Sequence, residues 1–140
     1  MYGEVAGFEA LHLAELGRFH QLMVDTYAAQ HVGERTPAMS AAFALIGLHL
    51  ALDLGMTGIE VRNCHQYLAR HFREWPRYER SSDTGSLTVM DVAKAHSVRA
   101  RSELMVGWAA AVWSSWRPVH QLVSALTAER LSLDRRTVSP

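Results

Sequence analysis

Apolar residues recur at steps of three and four along nearly the whole chain, and no stretch alternates with a period of two. The first pattern places apolar side chains on one face of an α-helix, whereas the second is typical of a half-buried strand. Four prolines in 140 residues leave room for long uninterrupted helices. The sequence therefore predicts an all-α protein, and a chain of this length can bury one hydrophobic core.

Capping signals predict where the first two helices end and begin. A first helix is expected from about residue 8 to about residue 30, a stretch without proline. Thr36 followed by Pro37 predicts the start of a second helix, with the threonine as N-cap and the proline in the first turn. Gly55 marks its predicted end, because glycine adopts the left-handed conformation of a C-cap without strain. The second helix is apolar on almost every face and is expected at the centre of the domain.

Similar signals predict the remaining helices. Thr57 and Glu60 fit a capping box at the start of a third helix, which Pro76 is expected to end. A short helix is expected over residues 88–96 and a long last helix over residues 98–128.

Pro118 lies inside the last helix, and its missing N–H predicts a kink there. The expected architecture is a single-domain bundle of four long helices and one short helix over residues 1–131, followed by a disordered tail over residues 132–140. A homodimer is an alternative expectation, because the apolar second helix and the last helix can pack against a second copy.

Charge and cysteine content exclude several classes of function. The 14 Lys and Arg residues balance 14 Asp and Glu residues, which argues against nucleic-acid binding because phosphate neutralisation needs a basic excess. Cys64 is the single cysteine, so the sequence predicts neither a disulfide framework nor a cysteine-based zinc knuckle. The most apolar run, residues 38–52, contains Ser40 and His49 and is shorter than the roughly 20 residues of a membrane span. No signal peptide is recognised, so a cytoplasmic location without membrane contact is expected.

The eight histidines are the residues that most suggest chemistry. At about 100° per residue, His20, Tyr27 and His31 share one face of the first helix. His49 lies within the apolar second helix, where an imidazole is costly to bury unless it is paired. His120 follows the expected kink of the last helix. The candidate catalytic residues are His20, Tyr27, His49 and His120, and the candidate pocket residues are Asp25, His31, Trp108, Trp113 and Trp116.

A structural role is the alternative for each of these residues. Single histidines among apolar neighbours most often belong to the core, and tryptophans dominate the burial of apolar surface in any case. Four further histidines are weaker candidates: His12, His65, His71 and His96.

A divalent metal is a second alternative, although nothing in the sequence requires a cofactor. His20 and His31 are about 16 Å apart along a helix that rises about 1.5 Å per residue, so they cannot bind the same ion. A site would therefore need one ligand from each of three helices. The set would be His49 and His120 with either His20 or His31.

Four segments of the chain carry a family resemblance. Residues 20–31 contain the motif His-x4-Asp-x-Tyr-x-x-Gln-His, and residues 108–120 form a helix rich in tryptophan that ends at a histidine. Together with residues 47–50 and 87–92, these segments resemble a family of bacterial all-helical proteins known only as a domain of unknown function. Many members carry an N-terminal Cys-x-x-Cys knuckle, which this chain lacks. The resemblance implies a helical fold and no particular activity, substrate or cofactor.

The sequence leads to three hypotheses of function. The first is a small enzyme, expected in bacterial specialised metabolism, that acts on an apolar or aromatic small molecule in an interior pocket through histidine acid–base chemistry. Within the same class, histidine-bound metal could instead act as a Lewis acid. The second hypothesis is a module that binds a small molecule without changing it. The third assigns the histidines and tryptophans to packing and dimerisation.

Overall fold

A computed structural model of the chain describes residues 19–79, 92 and 97–132. This part of the chain is helical and contains no strand, which confirms the predicted all-α class. The predicted helical residues 8–18, the short helix over residues 88–96 apart from Val92, and the tail after Ser132 lie outside the described residues. Five α-helices are described: α1 (His20–Gln30), α2 (Ala38–Leu48), α3 (Gly58–His71), α4 (Val98–Ser115) and α5 (His120–Arg130).

The apolar helix α2 lies at the centre, as its composition predicts. Nearly all of its residues from Ala41 onward are buried, and α1 packs along it while also contacting α4. A helix that is apolar on every face can bury its side chains only when other helices pack against it on several sides. The central position of α2 therefore follows from its sequence. None of the described helices is long and apolar enough to cross a membrane.

A wide helical turn extends α2 and places the next residues. His49–Asp53 form a π-helical turn, in which the N–H of Leu54 donates to the carbonyl of His49 at 3.3 Å. The chain then reverses at Gly55, whose φ of +69° lies in the left-handed region that glycine adopts readily. The predicted end of the helix is confirmed. The π turn was not predicted, and turns of this kind are frequent at functional sites.

The predicted capping box of α3 is confirmed. The Thr57 hydroxyl accepts from the Glu60 N–H at 3.2 Å, and the Glu60 carboxylate accepts from the Thr57 N–H at 2.9 Å. At the start of α2 the prediction is wrong by one residue. Pro37 itself precedes the first helical residue, and the Thr36 hydroxyl accepts from the Gly33 N–H at 2.9 Å instead of capping the helix.

Helix α3 ends earlier than Pro76 predicts. The last helical residue is His71, and Phe72 already has an extended backbone with φ −133° and ψ 135°. From this extended segment, the rings of Phe72 and Trp75 flank the Arg130 guanidinium at 4.8 and 4.4 Å. This cation–π contact with α5 is a tertiary interaction that local signals do not encode.

The predicted last helix is divided into α4 and α5. A 3₁₀ turn over Arg117–Val119 separates them, where Trp116 and Val119 each donate to a carbonyl three residues earlier at 3.0 Å. Pro118 has no N–H for the Ser114 carbonyl, so an α-helical ladder cannot continue through it. The proline therefore lies in a short turn between two helices, where the sequence predicts a kink within one helix.

Candidate functional site

The Asp25 carboxyl is buried between α1 and α2. The residue is 4% exposed, and both of its carboxyl oxygens accept from the Gln21 side-chain amide at 3.2 Å. Gln21 and Asp25 are four residues apart, so they lie on the same face of α1. On the facing helix, a Cβ at Gly47 would overlap the Asp25 carboxyl. A glycine at this position is what allows α2 to lie directly against the acid.

The same carboxyl lines a cavity of about 410 Å³. The cavity lies between α1, the end of α2 with its π turn, the start of α3 and one residue of α4. Its volume falls within the roughly 300–1,000 Å³ of typical small-molecule sites. Among its described lining residues, Asp25 is the single ionisable one. Most of the remaining wall is apolar: Phe19, Leu22, Ala51, Leu52, Met56, Val61 and Val106.

Burial raises the pKa of Asp25 from 3.8 to about 8, against the smaller opposing effect of the Gln21 hydrogen bond. An ionised carboxylate in apolar surroundings has lost its hydration, so the neutral acid is favoured. Asp25 therefore holds its proton in most molecules at pH 7. A neutral carboxylic acid that lines a cavity can donate a proton or a hydrogen bond to a bound molecule.

Gln21 links this acid to a histidine on α3. The Gln21 Nε2 lies 3.4 Å from His65 Nδ1, and His65 Nε2 donates to the Phe43 carbonyl at 3.0 Å. Since a carbonyl can only accept, the proton of the neutral ring is on Nε2 and Nδ1 is the acceptor. Burial also lowers the pKa of His65 below its usual 6.5, so the ring is neutral at pH 7. The imidazole thus holds the Gln21 amide in the orientation in which it donates to the Asp25 carboxyl.

A second cluster forms around the π turn. His49 Nδ1 donates to the Asp53 carboxylate at 2.7 Å, and the Trp113 indole N–H donates to the same carboxylate at 3.2 Å. Trp113 also stacks on His120 with ring centroids 3.7 Å apart, and His120 Nε2 donates to the Trp113 carbonyl at 2.6 Å. The structure therefore brings together three predicted site residues, His49, Trp113 and His120, around an acid that the sequence interpretation did not select.

Asp53 and His49 differ in their access to solvent. The Asp53 side chain is 43% exposed, whereas that of His49 is 5% exposed. The carboxylate orients the imidazole by fixing its proton on Nδ1, which leaves Nε2 with a lone pair. The spacing of four residues was visible in the sequence, since it places the two side chains on one helical face.

The other predicted site residues lie elsewhere. His20 and His31 are exposed on α1, and His31 stacks on Tyr27 with ring centroids 4.2 Å apart while its Nδ1 donates to the Tyr27 carbonyl. Trp108 and Trp116 are core residues. Neither tryptophan is among the described residues that line the Asp25 cavity, so the predicted indole wall is not found there.

The buried indoles attach α4 to the end of α1. Trp108 donates to the Gln30 side chain at 3.0 Å, and Trp116 donates to the Ala29 carbonyl at 3.2 Å. These hydrogen bonds satisfy polar atoms within the core, which is the structural role that the sequence left open.

Across residues 19–79, 92 and 97–132, no three His, Cys, Asp or Glu side chains are arranged to hold a metal ion. The predicted metal-binding set of His49 and His120 with His20 or His31 stays a prediction that rests on the sequence alone.

Three residues of the Asp25 site were missed by the sequence interpretation or ranked low: Gln21, Gly47 and His65. The signal for Gln21 was its i, i+4 spacing to Asp25, whereas Gly47 and His65 join the site only through helix packing.

The fold and site define an all-α protein with a buried acid at the wall of an apolar cavity. A family model described as a family of unknown function, DUF5946, matches residues 1–117, and the chain belongs to this family. The predicted membership of a family of unknown function is confirmed, while the motif and the bacterial origin stay predictions. Comparisons with curated proteins and with solved structures found no match.

Proposed function

We propose that the chain is a small enzyme that binds an apolar or aromatic small molecule in the Asp25 cavity and transfers a proton to or from it. The observation that carries this proposal is the position of one buried carboxyl in an otherwise uncharged wall, as far as the described residues form it. An enzyme that uses a general acid near neutral pH needs a carboxyl whose pKa lies well above 4. Burial gives Asp25 that property.

The proposed step is general acid catalysis by Asp25. The O–H bond of the acid breaks as its proton moves to an oxygen or nitrogen of the substrate, and a carboxylate remains. The Gln21 amide donates to both carboxyl oxygens and so stabilises the charge that develops on them. A proton from solvent then restores the acid. Positioned proton transfer of this kind contributes about 10²–10⁴-fold to a rate.

Asp25→Asn tests this function, because asparagine keeps the shape and loses the proton. The full chain is incubated with a panel of small aromatic amines, alcohols and ketones, and product formation is followed by mass spectrometry. We expect conversion of at least one compound and a loss of about 100-fold or more in the variant, within the range of a lost general acid. Glu103→Gln changes an exposed carboxylate that pairs with Arg99 on the surface of α4, and it is the matched control.

Two outcomes would contradict the proposal. Conversion by Asp25→Asn at the rate of the unchanged protein would place the chemistry elsewhere. Binding of compounds without any conversion would favour the alternative of a ligand-binding module.

The cluster around His49 is a second candidate site within the same class of function. It is favoured by the 2.7 Å hydrogen bond to Asp53, which holds the imidazole so that Nε2 can accept a proton. His49→Ala separates the two candidates in the same assay. Loss of conversion in His49→Ala with full conversion in Asp25→Asn would assign the chemistry to His49.

A further inference from the structure

The Asp25 cavity has an unbalanced electrostatic character. Its wall contains one group that can carry a negative charge, and no Lys, Arg or His among the described residues lines it. Among the described residues, the Gln21 amide is the hydrogen-bond donor to the Asp25 carboxyl, and its dipole compensates only part of the charge of the ionised form. A buried carboxylate becomes favourable once a cation enters the same low-dielectric space, because the two charges attract strongly there.

The hydrogen bonds around Asp25 suit the ionised carboxylate. Gln21 Nε2 lies 3.2 Å from both oxygens and donates to them, and a carboxylate can accept about four hydrogen bonds in total. Places for further donors therefore remain on the carboxyl that lines the cavity. An ammonium group has three N–H donors and a positive charge, whereas a hydroxyl has one donor and no charge.

We infer that the cavity binds a small organic amine, whose ammonium group pairs with the Asp25 carboxylate and whose apolar body packs against Phe19, Leu22 and Val61. This inference rests on the proposed function only for the location of the site. Asp25 paired with an ammonium group is ionised and has no proton to donate, so the amine is a ligand of the cavity and not the substrate of the proposed acid catalysis. A carboxylate ligand finds no cation among the described lining residues and repels the ionised form of Asp25, and a neutral alcohol of the same shape lacks the charge that compensates Asp25.

Binding of an ammonium ion changes the protonation of the protein. Free Asp25 is mostly protonated at pH 6.5, because its pKa is raised to about 8. Pairing with the cation favours the carboxylate, so the Asp25 O–H bond breaks and the proton passes to the buffer. The affinity for the amine should therefore rise by about tenfold per pH unit below pH 8 and level off above it for as long as the amine itself stays protonated.

Among the described residues, one titratable group of a neighbouring element approaches Asp25 through Gln21. It is His65 of α3, which contacts Gln21, while α2 contributes Gly47 and α4 contributes Val106 at the cavity. Burial lowers the pKa of His65, which favours its neutral ring, so Asp25 and not His65 is the expected source of the released proton.

Titration calorimetry with the full chain tests the inference. Benzylamine, 2-phenylethylamine and tryptamine are each titrated at pH 6.5 in two buffers of different ionisation enthalpy, with 2-phenylethanol and 3-phenylpropionate as neutral and anionic comparisons. We expect at least one amine to bind at least tenfold more tightly than the alcohol, with release of about one proton per ligand. The anion, which cannot pair with the Asp25 carboxylate, should bind more weakly than that amine.

Asp25→Asn provides the decisive variant, and Glu103→Gln is again the matched control. The asparagine variant should bind the same amine at least tenfold more weakly and release no proton, whereas the control should behave as the unchanged protein. Circular dichroism and a thermal melt confirm that the asparagine variant is folded.

Three results would overturn the inference: no binding by any of the amines, equal affinity for the alcohol, or amine binding that Asp25→Asn leaves unchanged. Each result is distinguishable from failure of the proposed function. If the alcohol binds as tightly as the amine, and Asp25→Asn still loses conversion in the activity assay, the inference of an amine ligand is wrong and acid catalysis by Asp25 remains supported.

Discussion

Asp25 and Asp53 are two carboxyls in contrasting surroundings. Asp25 is 4% exposed and meets an amide, a glycine and apolar walls, whereas the Asp53 side chain is 43% exposed and accepts from an imidazole and an indole. Burial raises the pKa of Asp25 to about 8 and makes it a neutral acid at pH 7. The comparison teaches that packing decides what an aspartate can do, because a carboxyl keeps its charge only where water or donors solvate it.

The largest expected effect is on the pH dependence of stability. Asp25 is protonated up to about pH 8 in the folded chain and only up to about 3.8 in the unfolded chain. The unfolded state therefore binds fewer protons between these values, and the free energy of unfolding falls as pH rises. Relative to Asp25→Asn, the unchanged protein should lose about 4 kcal/mol between pH 5 and pH 8.

Urea unfolding of both proteins at several pH values measures this difference. His65 acts in the opposite direction, since its lowered pKa adds stability above pH 6.5 that is lost as pH falls. Because both proteins contain His65, its contribution cancels in the difference. Parallel stability curves for the two proteins would show that Asp25 is not the neutral acid that the cavity predicts.

Gly47→Ala should have the next largest effect. The added methyl group would overlap the Asp25 carboxyl, so α1 and α2 must separate, and we expect a loss of about 3 kcal/mol in the free energy of unfolding. Gly107→Ala is the control, because nothing lies within 4 Å of a Cβ at this exposed position of α4. That substitution should stabilise the helix by about 0.5–1 kcal/mol.

Chemical denaturation of the two alanine variants gives both values. Adding Asp25→Ala to Gly47→Ala should recover part of the loss, since the overlapping group is then absent. Equal stability of Gly47→Ala and Gly107→Ala would disprove the close approach of α2 to the acid.

The smallest expected effect extends the comparison to the tryptophans. Trp108→Phe removes a hydrogen bond to the buried Gln30 side chain and should cost about 2 kcal/mol. Trp113→Phe removes a hydrogen bond to the half-exposed Asp53 carboxylate, which water can replace, and should cost about 0.5 kcal/mol. Thermal unfolding measures both, and a larger loss for Trp113→Phe would contradict the assigned exposure.

Local sequence signals predicted much of the helical framework. Thr57 and Glu60 form the expected capping box, and Gly55 ends the extension of α2 with the expected positive φ. The same signals were wrong for the end of α3, because the contacts of Phe72 and Trp75 with Arg130 come from another helix. Capping acts within one turn and is readable in order along the chain, whereas a cation–π contact joins residues that are distant in sequence.

In the candidate sites, too, features that depend on local spacing were predictable, whereas contacts between helices were not. The sequence interpretation named Asp25 as a candidate pocket residue, and the four-residue spacing of His49 and Asp53 was visible without any structure. The meeting of Asp25 with Gly47, and of Gln21 with His65, required the packing of α1 against α2 and α3. Tyr27 and His31 stack on each other, as the periodicity predicts, and sequence alone did not show that His20 and His31 are exposed.

The sequence by itself determined the all-α class, the buried position of α2 and the interruption at Pro118. These features follow from local hydrogen bonding and from the amount of apolar surface, and both are properties of a segment. Tertiary structure alone decided which aspartate is a neutral acid. The pKa of a carboxyl depends on the water and the donors around it, and those are set by helices that the chain brings together only when it folds.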